Sequence, residues 1–325
     1  MSVMSLLFKT CEALLVLAMS VAIANAEPDS DALRLRLECQ GSHITIGEPA
    51  WFFISMHNSS NHTINPYPSV IDNTILLCSM DGNDYSPCVY GRMWRDSLGT
   101  LDMYPGRVVW HGEVRLYLKG TPGTALDQYE SYVAELVFSR PGTYYVKAEP
   151  GDPAAHESDP VQVTVAPLPK GERPVMEIWS RPEVATFIQG YTHKEGVAPL
   201  ERLLEQYPDS LYADHARYAL GEYWAGQYFT KKTSDPHILR KASVHFAAVT
   251  ERVPIRKMRA LYQQLVIVDR KLFMSDEVDL EALARELEPR MSLADRIGLG
   301  EKIRERLPRV LAREKPTAAP TATQP

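Results

Sequence analysis

Val161-Gln162-Val163-Thr164-Val165-Ala166-Pro167-Leu168-Pro169-Lys170-Gly171 is the stretch in which the chain changes period. Up to Ala166 the apolar residues fall on every second position, as in a strand with one face on a core. The prolines then mark a boundary. Past Gly171, apolar residues recur three and four apart, the period of a helix. The chain therefore reads as a strand half followed by a helical half.

Working back from the boundary, Tyr144, Val146 and Ala148 form one alternating face, Phe52, Ile54 and Met56 another, and Leu33, Leu35 and Leu37 a third. Strand-like runs at 115–119 and 132–138 lie between them. Gly47-Glu48-Pro49, Asn58-Ser59-Ser60-Asn61, Pro105-Gly106, Pro122-Gly123 and Pro141-Gly142 supply turns. Many short strands separated by turns, with no helix between them, predict an all-β antiparallel β-sandwich.

Working forward, Leu200, Leu203, Leu204 and Tyr207 make an i, i+3, i+4, i+7 stripe. Pro208-Asp209-Ser210 stops that helix and starts the next, which carries Ala213, Ala216, Leu220 and Trp224. A further helix carries Ala242, Phe246 and Val249 and ends at Val253-Pro254. Amphipathic stretches at 255–273 and 278–311 follow, the second broken near Pro289.

Two resemblances sharpen this reading. Ile46-Gly47-Glu48-Pro49 before a strand ending in Asn58, Arg140-Pro141-Gly142-Thr143-Tyr144, and Ser158-Asp159-Pro160-Val161 make the first half resemble bacterial immunoglobulin-like (Ig-like) domains of the exported type. They imply a fold and no chemistry. Leu220-Gly221, Trp224, Ala242, Phe246, Val249 and Pro254 fall in the order of a tetratricopeptide (TPR) repeat, and 197–254 resembles one. Pro208 and Pro254 are 46 residues apart, beyond the about 34 of the standard repeat. The expected fold is thus multidomain, all-β plus all-α: an Ig-like sandwich at 30–167, a Pro-rich linker at 168–180, and a TPR-like α-helical hairpin array at 181–314.

The ends of the chain carry their own signals. Lys9, the apolar run Ala13–Ala24 and the small-x-small site Ala24-Asn25-Ala26 predict a signal peptide over 1–26, cleaved before Glu27. That run is short of the about 20 apolar residues a membrane span needs, and no later stretch reaches it. The tail at 315–325 is Pro-, Thr- and Ala-rich, and disorder is expected there. The expected location is the periplasm or the exterior. A net charge of −6 with no strongly basic segment argues against nucleic acid as a partner.

Cys11 lies in the leader, which leaves Cys39, Cys78 and Cys88. Cys78 and Cys88 flank a polar turn and are the natural disulfide in an oxidising compartment. Cys39 is expected as a small apolar residue in the core, with pairing to one of the other two cysteines as the rival reading.

The sequence carries no Gly-x-Ser-x-Gly elbow, phosphate loop, His-Glu-x-x-His or paired Cys-x-x-Cys. No catalytic residue, cofactor or metal is therefore expected. His43, His57, His62 and His111 are candidates for a zinc site, with exposed polar turns as the plainer reading. Asp81-Gly82-Asn83-Asp84 has calcium-like oxygens without EF-hand spacing, and reads as a tight turn. Tyr85, Tyr90, Arg92, Trp94, Arg95, Tyr104, Arg107 and Trp110 set flat rings beside guanidinium groups, as in a surface for a glycan or peptide; the rival reading puts the rings in the core. On the helices, Tyr191, Tyr212, Tyr218, Tyr223 and Tyr228, with Arg202 and Arg217, are candidates to line a concave face. Tyr212, Arg217, Tyr218, Tyr223, Trp94 and Arg95 are the expected partner-binding residues. The expected function is a non-enzymatic scaffold or adaptor for a protein partner. A glycan- or peptide-binding module built on 85–110 and a hydrolase without a recognisable motif are the alternatives.

Overall fold

The computed structural model describes residues 33–64, 74–90, 103–106, 108–119, 136–150, 155–190, 194–230, 235–270 and 278–314. The expected signal peptide and the expected disordered tail lie outside them. Eight strands come first: β1 (Leu33–Gln40), β2 (His43–Thr45), β3 (Ala50–Asn58), β4 (Ile75–Ser79), β5 (Ser86–Tyr90), β6 (Val108–Lys119), β7 (Gly142–Glu149) and β8 (Val161–Ala166). On β1, Leu33, Leu35 and Leu37 are buried while Arg34, Arg36 and Glu38 are exposed, as the alternation requires.

All eight strands join one sheet in the order β1-β3-β6-β5-β4-β7-β8-β2. Neighbours pair antiparallel except β2, which runs parallel to β8. The sheet curls on itself, because β1 also packs on β7 and β8. Leu35 N donates to His156 O at 3.0 Å and His156 N to Leu33 O at 2.8 Å, tying β1 to the approach of β8. Inside the curl lies one core, of Leu35, Phe52, Ile54, Met56, Leu76, Val146 and Val163 with their neighbours.

Strand β3 decides the rest of the fold. Its sequence Ala50-Trp51-Phe52-Phe53-Ile54-Ser55-Met56 is apolar on both faces, and each residue of that run is buried. Phe52, Ile54 and Met56 enter the core of the curled sheet. Trp51 and Phe53 point the other way, into the helices. A strand with two apolar faces must be covered twice, so the helices are part of the same packing unit.

The helices are α1 (Arg173–Trp179), α2 (Pro182–Gln189), α3 (Val197–Gln206), α4 (Ala213–Phe229), α5 (Pro236–Ala247), α6 (Pro254–Arg270), α7 (Leu280–Leu287), α8 (Met291–Arg296) and α9 (Gly300–Glu314). Helix α4 is central and buried on most sides. Ala216, Ala219, Leu220 and Tyr223 face the core of α1–α3, and Tyr218 and Ala225 face the core shared by α5–α9 and β3. Helix α5 begins where Asp235 accepts from His237 N at 2.9 Å and Pro236 takes the first helical position. Among the described residues no helix is long and apolar enough to cross a membrane.

These facts correct the expected fold class. The strands do not make an Ig-like antiparallel sandwich of two separate sheets; they make one curled, mixed sheet with a parallel pair. The helices do not form a free-standing TPR-like array, because Trp51 and Phe53 complete their core. The molecule is a mixed α/β body with a shared interior. The segment expected as a linker also takes part: 170–172 is a short 3-10 turn, 173–179 is α1, and Val175 and Trp179 are buried.

Gly221 lets α4 and α5 approach closely. A Cβ on Gly221 would lie 2.6–2.9 Å from three ring atoms of Phe246, itself fully buried on α5. Gly221→Ala is expected to force α4 and α5 apart and to cost about 1–3 kcal/mol despite alanine's better helix propensity. A urea titration in which the variant matches or exceeds the parent would show that Phe246 can yield.

Candidate functional site

A buried polar cluster sits where the β2–β3 turn, Ile46-Gly47-Glu48, meets the helices. Gly47 holds φ +77°, a left-handed turn that favours glycine, beside the Met176 side chain of α1. The turn offers its backbone outward. Gly47 O accepts from Trp179 Nε1 at 2.7 Å, and Ile46 O accepts from the Tyr212 hydroxyl at 2.5 Å. The Trp179 and Tyr212 rings lie 5.0 Å apart, centre to centre. Glu172 anchors the next junction, accepting from Ser210 Oγ at 2.6 Å and Leu211 N at 3.1 Å.

Glu48 accepts from Thr45 N at 2.5 Å and faces His215 Nε2 at 3.7 Å. On the other side of the imidazole, Arg256 Nη2 approaches Nδ1 at 3.4 Å. Guanidinium can only donate, so Nδ1 is the acceptor and the proton rests on Nε2, toward Glu48. Arg256 also lies over the Trp51 ring at 3.2 Å and near Tyr218 at 5.0 Å. Burial pushes the Glu48 carboxyl up; His215 and the Thr45 N–H pull it down further, and the net shift is downward. Burial, with the charges of Glu48 and Glu172, raises the Tyr212 hydroxyl, which stays a neutral donor.

A histidine between a carboxylate and an arginine has the parts of a general acid–base pair. Here access is closed. His215 is 4% exposed, with Trp179 beside it and Arg256 behind. No substrate atom reaches it while the seam is shut, so the cluster acts as a clamp between sheet and helices. The sign of its pH dependence follows from Glu48. A depressed carboxyl stabilises the fold above its unfolded value, about pH 4.3, and loses that contribution as pH falls through the lower, folded value. Glu48→Gln is expected to lower stability at neutral pH and to flatten the acid limb. Melting curves from pH 7 to pH 3 with an unchanged acid limb would remove Glu48 from the clamp.

The expected partner-binding residues are redistributed. Tyr212, Tyr218 and Tyr223 are buried, at 0%, 2% and 8% exposure, and line the seam and the helical cores instead of an open groove. Arg217 donates to Asp214 at 3.0 Å and to Pro208 O at 2.8 Å, fixing the α3–α4 junction. Trp94 and Arg95 lie outside the described residues. Tyr104 is 58% exposed, on a turn pinned by buried Asn58: Asn58 Nδ2 donates to Met103 O at 2.7 Å, and Gly106 N donates to Asn58 O at 2.9 Å.

Cys78 and Cys88 lie on adjacent strands, offset by two positions, with Cys78 opposite Ser86 and Cys88 opposite Leu76. They stand as thiols, as does Cys39. Cys39 is half-buried, and burial pushes its thiol up to about 12. The Asp81 turn is self-contained: Asp81 Oδ1 accepts from Ser79 Oγ at 2.7 Å, Asn83 N at 2.9 Å and Asp84 N at 3.1 Å. These bonds, Ser79's first, hold Asp81 down at about 2. His43 and His62 are exposed and bond to neighbouring Ser42 and Asn61. Among the described residues no group of three His, Cys, Asp or Glu side chains could hold a metal ion.

Glu48, Trp179, His215 and Arg256 were not among the expected residues. The signal that could have found them is the apolar run on both faces of β3, which requires a second, helical cover with buried partners.

No protein-family model and no curated protein matches the sequence. A structural comparison pairs it with a β-glucosidase from Erythrobacter marinus at 11% identity and a TM-score of 0.21, covering 41% of this chain and 15% of that one. The chain thus spans a small part of that enzyme's length, and a similarity of this size says nothing about fold or activity here.

Proposed function

We propose that the chain is an exported, non-enzymatic adaptor of the bacterial envelope that binds a protein partner as one rigid body. One observation carries this reading. The constellation with the most catalytic look, Glu48–His215–Arg256, is closed inside the seam and ties sheet to helices. Rigid bodies of this kind bind through a few exposed anchors, with affinity set by those anchors more than by area. The large exposed apolar side chains among the described residues are Met80, Tyr104 and Val244, so the binding surface is not confined to the helices.

The test is in-cell photo-crosslinking on the full-length chain, with the probe at 104, at 244, and at an exposed control such as Arg36. One protein captured repeatedly from 104 or 244 and not from Arg36 supports the adaptor. Hydrolytic activity of the purified chain that disappears in a folded His215→Gln variant would refute it. Fractionation that leaves the chain in the cytoplasm would remove export from the reading.

The glycan- or peptide-binding alternative keeps one supporting observation, the exposed Tyr104 ring on its Asn58-pinned turn. If it is right, Tyr104→Ala costs about 1–3 kcal/mol of ligand affinity with melting temperature unchanged. Glycan-array binding that survives Tyr104→Ala would end that alternative.

A further inference from the structure

We propose that Cys78, Met80 and Cys88 form a binding site for a soft monovalent ion, Cu(I). The three sulfur side chains line one cavity of about 300 Å³ at the end of β4 and β5. Cys78 and Cys88 share the face of the sheet that Leu76 turns into the core, since Leu76 pairs with Cys88 and Cys78 lies two residues on. Diagonal neighbours of this kind stand within reach of a common ligand.

Met80 belongs to the turn after β4, whose shape is set by the Ser79 and Asp81 hydrogen bonds. Gly142 makes room for it. At φ +146°, its absent Cβ would lie 3.3 Å from Met80 Cε. The opposite wall is equally fixed, because the Tyr144 hydroxyl donates to Arg140 O at 3.0 Å and accepts from Arg140 N at 3.3 Å. Arg140 and Asp84 are the charged residues of the lining.

Two thiolates and a thioether select Cu(I) by softness, and a d¹⁰ ion accepts three ligands readily. Zinc favours four nitrogen, sulfur or oxygen donors and gains little from a thioether. Binding involves no redox change. Two thiol protons are released as two Cu–S bonds form, leaving a net charge of −1 on the two-thiolate complex, with Arg140 in the same wall.

The experiment titrates Cu(I) into the reduced full-length chain under anaerobic conditions, against a chromophoric Cu(I) chelator. One Cu(I) per chain is expected to be withdrawn from the chelator, with a sulfur-to-copper absorption in the near ultraviolet. Cys78→Ser and Cys88→Ser should each abolish it, and Cys39→Ser should leave it unchanged. Met80→Leu, at an exposed position that does not threaten folding, should keep the stoichiometry and weaken affinity by about tenfold or more. Three results would overturn the site: copper left wholly on the chelator, Met80→Leu binding as tightly as the parent, or Zn(II) displacing Cu(I) at equal concentration. Isolation of the chain with a Cys78–Cys88 disulfide that resists reduction would overturn it as well.

Discussion

Trp179→Ala loses about 3–5 kcal/mol of stability and loosens the helices from the sheet. The indole is fully buried and packs against the tilted ring of Tyr212, and its Nε1 donates to Gly47 O at 2.7 Å. Truncation leaves a ring-sized cavity and a carbonyl stripped of its donor, so transfer, cavity and hydrogen-bond losses fall together. Two readouts separate this from ordinary core damage. Urea unfolding gives the loss in midpoint, and trypsin cleavage at exposed Lys170 should accelerate under native conditions, because α1 is what closes that segment against the turn. Trp179→Phe should restore most of the packing and none of the hydrogen bond, leaving a deficit of about 1 kcal/mol or more. A loss under about 1 kcal/mol in Trp179→Ala, with Lys170 cleaved no faster, would mean that the seam rests on other contacts.

Arg256→Ala has the second-largest expected effect, about 3 kcal/mol. The side chain is 1% exposed and lies against Trp51, Tyr218 and His215 together, so its removal empties the meeting point of β3, α4 and α6. Arg256→Met tells packing from charge. If the aliphatic stem and the filled volume matter most, methionine recovers about 2 kcal/mol, as buried charges replaced by apolar residues of similar size often do. If methionine is as damaging as alanine, the cation over the Trp51 ring and beside His215 is the contribution that counts. Equal stability of all three proteins in chemical denaturation would take Arg256 out of the seam.

The sequence made the local elements plain and their assembly obscure. Alternation at Leu33, Leu35 and Leu37, and at Tyr144, Val146 and Ala148, marked real strands, because one-sided burial writes itself into period two. The Leu200–Leu203 stripe was legible for the same reason in period 3.6. The overturned part was the separation of the halves. Phe52, Ile54 and Met56 mark one face by alternation, but Trp51 and Phe53 carry the other face of β3 into the helical core. The parallel pairing of β2 with β8 involves three residues a side, too few for any pattern to announce. The clamp was hidden because Glu48, Trp179, His215 and Arg256 are scattered along the chain and converge only in the fold. Tyr212, Tyr218 and Tyr223 illustrate the same limit, since an aromatic on a helix reads alike whether it meets a partner or its own sheet.

The contacts of the β2–β3 turn also set a timetable for folding. Gly47 waits for Trp179, Ile46 for Tyr212, and Trp51 for Arg256, across 132, 166 and about 200 residues respectively. Closures over such distances are slow, because the chain entropy is surrendered before the contact rewards it. During synthesis the amino-terminal strands emerge first, with Trp51 and Phe53 uncovered until α4–α6 have followed. The nascent chain therefore carries an unshielded aromatic strand until α6 has been made.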